Sequence, residues 1–127
     1  MIFARRFGAA AAVLCALGAA APAAAQEQAS RGSGAILRVL DKVSSVTSDL
    51  DMNVGDSVDY GRLTLRLGEC RYPEGDPNSD AFAQMVIVDR RAGHTIFDGW
   101  MIATSPALSA LDDARYDVWV LSCKRQG

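Results

Sequence analysis

Three cysteines, one histidine and fifteen carboxylates are the groups in this 127-residue chain that could do chemistry. The cysteines, Cys15, Cys70 and Cys123, are too far apart in sequence for a Cys-x-x-Cys redox motif, and with one imidazole they fall short of a zinc ligand set. Asp76-Pro77-Asn78-Ser79-Asp80 opens like the D-x-N-x-D loop that gathers oxygens around calcium. That pattern then fails, since Ala81 stands where the loop needs Gly and Ile87 where it needs Glu, so the segment reads as a solvated loop ahead of a strand. His94 with Asp98 or Ser105 could be drawn as an acid–base pair or a triad fragment. His94, however, follows the turn signal Ala92-Gly93, and Ser105 is accounted for as a helix cap before Pro106. No catalytic residue, metal site or cofactor is expected.

The aromatic residues are the remaining candidates. Trp100, Tyr116 and Trp119, with Asp117 or Asp98 to accept hydroxyl hydrogen bonds, could form a platform for sugar rings. The competing reading is packing. Trp119 alternates with Leu121 and Cys123, and Trp100 lies between Phe97 and Met101, so at least one indole is expected to pack around a Cys70–Cys123 bond. Gly99 would mark a bulge that re-aims the Trp100 ring. The possible binding surface is Trp100, Tyr116, Asp117 and Trp119.

Residues 1–25 must be placed before the elements that carry these groups. Arg5-Arg6, an Ala/Leu/Val-rich run from Phe7 to Ala21, and Ala23-Ala24-Ala25 before Gln26 have the order of a cleaved secretory signal. The run is weakly hydrophobic and broken by Pro22, which disfavours a membrane anchor, and no further span follows it. Cys15 follows bulky Leu14, unlike a lipoprotein signal, and the arginine pair lacks a twin-arginine context. Cleavage would leave eleven cations against fifteen carboxylates, a net charge of −4, which opposes nucleic-acid binding. It would also leave Cys70 and Cys123 as a pair in an oxidising compartment, where one intramolecular disulfide is the favoured reading over two separate thiols.

After a polar tether at 26–34, a single β domain over 35–127 is expected. Leu63-Leu65-Leu67 alternates with polar residues, and Leu50, Met52 and Val54 do the same, as in strands with one buried face. Ala81 to Asp89 is almost wholly apolar, which predicts a central strand covered on both faces. Thr95–Ile102 and Tyr116–Cys123 are further strands. Residues 35–46 fit either a helical stripe or a hairpin turning at Lys42 to Ser45, with the hairpin preferred. Ser105, Pro106, Leu108 and Leu111 predict one short helix. The fold class is mainly β, a small antiparallel sandwich or barrel.

The segments Leu40-Asp41-Lys42-Val43, Val54-Gly55-Asp56, Tyr60-Gly61-Arg62-Leu63 and Phe97 to Cys123 (FDGWMIATSPALSALDDARYDVWVLSC) resemble the alphaproteobacterial exported proteins of the DUF2155 family. The resemblance implies a Gram-negative periplasmic location and supplies no catalytic residues. Related chains tend to have Gly where this one has Ser45. Two functions remain open: a non-catalytic module binding another cell-envelope protein or an inner-membrane assembly, and a domain binding cell-wall glycan or another carbohydrate.

Overall fold

A computed structural model describes residues 29–126, so the expected signal segment and residues 26–28 lie outside the described residues. Nine strands form among the described residues: β1 (Ala29–Arg31), β2 (Gly34–Asp41), β3 (Val46–Asn53), β4 (Ser57–Tyr60), β5 (Leu63–Pro73), β6 (Phe82–Asp89), β7 (His94–Ile102), β8 (Leu111–Asp112) and β9 (Tyr116–Lys124). They build two antiparallel sheets. The first has the order β1-β5-β6-β7, with β4 on the first half of β5, and the second has the order β3-β2-β9-β8. Leu63, Leu65, Leu67, Met85 and Ile87 of the first sheet are fully buried in one core with Leu37, Val39, Met52 and Val118 of the second. The result is a sandwich rather than a closed barrel, because among the described residues β3 and β7 remain sheet edges.

Each sheet contains a hairpin, β2–β3 in the second and β6–β7 in the first, and the two share a chemistry. Asp41 ends β2 and Asp89 ends β6, and each uses Oδ1 to accept backbone N–H groups of the turn that follows: Val43 and Ser44 in one, Arg91 and Ala92 in the other. Each turn closes when the fourth residue after the Asp donates its N–H to the Asp carbonyl, from Ser45 and from Gly93, at 2.7 Å in both cases. That fourth residue must be left-handed, and φ is 62° at Ser45 and 78° at Gly93. Segment 35–46 is therefore a hairpin, and Ser45 holds the position where a Gly would sit without strain.

Three expectations are corrected. No helix forms among the described residues. Ser105 accepts from Leu108 and Ser109 in a single turn, Leu108 is 85% exposed, and Leu111 is buried in β8 against Val118. A segment this short cannot recover the cost of helix nucleation without an apolar stripe, and pairing with β9 supplies hydrogen bonds instead. Second, the domain starts before Ala35: Ala29–Arg31, read as tether, pairs with Arg71–Pro73 of β5. Third, β6 is central in its sheet but covered on one face only among the described residues. Ala83, Met85, Ile87 and Asp89 point into the core, while Phe82, Val86 and Val88 are half-buried on the outside.

Candidate functional site

Two clamps fasten the sheets to each other. At one end of β5 and β9 lies a disulfide between Cys70 and Cys123, with Cα atoms 5.7 Å apart. Both cysteines reach the interior through a bulge. Gly68 is the extra residue in β5, between Leu67 opposite Met85 and Glu69 opposite Gln84. Leu121 is the extra residue in β9, between Val120 opposite Leu37 and Ser122 opposite Ile36. A bulge resets the side-chain alternation, so Cys70 follows the odd-numbered leucines inward and Cys123 follows Tyr116, Val118 and Val120. Trp119 is thereby placed on the opposite face from Cys123, contrary to the expectation that they share one.

At the other end the clamp is ionic and aromatic. Arg62, in the β4–β5 turn, donates to Asp89 and to Asp113 at 2.7 Å each, and Arg115 donates to Asp41 at 3.0 Å. Tyr116, 2% exposed, lies between them, with each guanidinium carbon 5.2 Å from its ring centroid. Tyr60 meets the same ring edge-on at 6.1 Å. Gly61 (φ 57°) must lack a side chain, because a Cβ there would overlap the Tyr116 hydroxyl. The Arg115 hydrogen bond holds the Asp41 carboxyl at about 2, helped by the Val43 and Ser44 amides. The Arg62 hydrogen bond, with the Ala92 and Arg91 amides, does the same for Asp89.

Both carboxyls are depressed below their ordinary value of 3.8, so their contribution to stability is complete above about pH 4 and is lost as pH falls toward 2. Acid titration of unfolding should show a decline across that window. Asp41→Asn with Asp89→Asn should lower stability at neutral pH and flatten the decline; an unchanged acid profile in the double variant would contradict the assignment.

The four residues of the possible binding surface are not brought together. Tyr116 is core. Trp119 and Asp117 share a groove on the second sheet with Pro106, Ala107, Ala110, Leu111 and Asp112. There Lys42 Nζ bridges Asp112 at 2.9 Å and Asp117 at 3.0 Å. Trp100 is on the outer face of the first sheet, and neither indole packs in the core around the disulfide. Gly99 is not bulged; the extra residue of β7 is Ile96, between Thr95 opposite Val88 and Phe97 opposite Ile87. His94 is exposed at the start of β7. Asp80 Oδ1 accepts from the Ala81 and Thr104 amides and Oδ2 from the Thr104 hydroxyl, which occupies it as a loop brace. Among the described residues no three His, Cys, Asp or Glu side chains cluster as metal ligands, and no helix is long and apolar enough to cross a membrane.

The surface with most to offer was missed as a unit. Phe82, Val86 and Val88 of β6 lie on this face, with exposed Gln84 between Phe82 and Val86, and Trp100 and Ile102 of β7 stand opposite Gln84 and Phe82. Trp100 is 36% exposed and carries the Arg71 guanidinium over its ring at 5.4 Å. With Ala29, Phe82 and Ile102 these two residues line an open groove of about 290 Å³. The signal for it was the excess of apolar residues in Ala81 to Asp89 beyond what one buried face requires.

Residues 35–123 match the model of a bacterial family described as "Uncharacterized protein conserved in bacteria (DUF2155)". The chain belongs to this family. The DUF2155 match begins one residue inside β2 and ends at Cys123, so it includes both cysteines, both hairpin aspartates and the open face, and leaves out β1. "Uncharacterized protein RP359" of Rickettsia prowazekii (strain Madrid E) is 22% identical over 87 residues, covering 66% of this chain and 56% of that protein. This DUF2155 chain therefore aligns with little more than half the length of that relative. No solved structure matches.

Proposed function

We propose that this DUF2155 protein is an exported, non-catalytic interaction module of the periplasm that binds another cell-envelope protein. The observation that carries the reading is the outer face of the first sheet, where Phe82, Val86, Val88, Trp100 and Ile102 leave apolar area in contact with solvent. Apolar side chains left partly in solvent on one face of a small domain offer a place where another surface docks, and Gln84, Arg66 and Asp98 set polar groups among them. Export is supported by the signal-like order of residues 1–25 and by a disulfide, which persists in oxidising compartments.

The test places a photo-crosslinking amino acid at Val86 and, as a control, at exposed Thr47 of β3 in full-length protein expressed in its own bacterium. A discrete protein adduct at Val86 and not at Thr47 is expected; adducts at neither position, or equally at both, would overturn the reading. A carbohydrate-binding alternative is favoured by one feature only, the Trp119 groove with its Lys42-bridged carboxylates. It requires Trp119→Ala to abolish binding to soluble glycan fragments.

A further inference from the structure

The open face has a chemical asymmetry at its β1 end. Arg31 and Arg71 both approach the single carboxylate of Glu69, at 3.4 and 2.9 Å. Two guanidinium groups on one carboxylate leave a positive charge uncompensated within the cluster. Exposure decides which sign a visitor meets: the Glu69 side chain is 24% exposed, against 72% for Arg31 and 41% for Arg71. Arg71 also lies over Trp100, so its planar fork stands at the rim of the groove formed by Ala29, Phe82, Trp100 and Ile102. A cavity of about 290 Å³ is small for a whole organic ligand and suits one or two side chains.

We propose, resting on the reading of this face as a partner-binding surface, that the groove takes an extended protein segment in which a large apolar residue adjoins Asp or Glu. The apolar side chain sits on Trp100, Phe82 and Ile102, where it removes water from both surfaces. The neighbouring carboxylate meets the Arg71 and Arg31 guanidinium groups, whose donors are arranged for two-point contact with a carboxylate. Neither part alone specifies the segment: the apolar groove supplies contact area and the guanidinium pair sets sign and register.

Selection of random short peptides against the mature chain tests this. Enriched sequences should place Phe, Leu, Ile, Tyr or Trp beside Asp or Glu. Affinity for an enriched peptide should fall about tenfold or more in Arg71→Gln, the loss expected for a charged hydrogen bond. Arg71→Glu should move the preference from acidic to basic residues. Arg31→Gln, which leaves the Trp100 stack intact, gives a second reading if Arg71 variants fold poorly by thermal melting.

Enrichment without an acidic residue, or an acidic preference that survives Arg71→Glu and Arg31→Gln, would overturn the proposal. So would absence of enrichment relative to Trp100→Ala. A Trp100-dependent dimer in sedimentation would assign the groove to a second copy, and Arg71-dependent flotation with phosphatidylglycerol vesicles would assign it to lipid; either result also overturns it. If Val86 adducts persist while the acidic preference fails, the face stands and only this chemistry is lost. If both fail, the interaction reading fails with it.

Discussion

Reducing the Cys70–Cys123 bond should lower the free energy of unfolding by about 4 kcal/mol. The bond closes a loop with a sequence separation of 53 residues, and chain-entropy scaling gives about that figure at 25 °C for such a loop. Domains of this size have about 5–15 kcal/mol in total, so the loss would bring the protein close to unfolding at growth temperature. A shift of roughly 15–30 °C in Tm corresponds to it. The bond also does what no backbone ladder does here, since β5 and β9 belong to different sheets and share no hydrogen-bonded register. Urea unfolding of residues 26–127 with and without reductant, beside Cys70→Ala/Cys123→Ala, measures the effect. A difference under about 1 kcal/mol, or two free thiols per chain in denatured, unreduced protein, would refute the assignment.

Tyr116→Ala should cost about 3–5 kcal/mol, the range for removing a large buried aromatic side chain. The ring is the centre of the second clamp: it separates Arg62 from Arg115, meets Tyr60 edge-on and fills the space that Gly61 leaves open. Truncation would leave a cavity between the sheets and remove both cation–π contacts from arginines that also hold Asp41 and Asp89. Tyr116→Phe keeps the ring and should stay within about 1 kcal/mol of the parent. Denaturant midpoints of the two variants check this directly. If Tyr116→Ala were as stable as the parent while peptide or glycan binding fell, Tyr116 would belong to a binding surface and the core placement would be wrong.

Strand positions were legible because their signal is local. Leu63-Leu65-Leu67 alternates with polar residues, and a pleated strand with one buried face demands that period. The cysteine pair was legible by counting, and the Gly68 break correctly placed Cys70 inward. The Asp-x-x-x-Ser and Asp-x-x-x-Gly spacings at 41–45 and 89–93 stand in the sequence too, but their meaning depends on partners 27 residues or more away in the chain: Arg115 reaches back to Asp41 across 74 residues, and Arg62 reaches Asp89 across 27.

Composition and periodicity by themselves determined a mainly β, acidic domain with one cysteine pair after a signal-like segment, since charge balance, alternation and residue counts need no knowledge of contacts. Only the tertiary structure decided which way the aromatic residues face. A single extra residue in a strand inverts every side chain beyond it, and the bulge at Leu121 sends Cys123 inward while Trp119, two residues before Leu121, stays on the outer face. The same holds for β6, whose apolar run is compatible with cover on both sides. Whether a second layer lies over Phe82, Val86 and Val88 depends on where distant strands pack, and among the described residues both layers are used to build one core, leaving that face open.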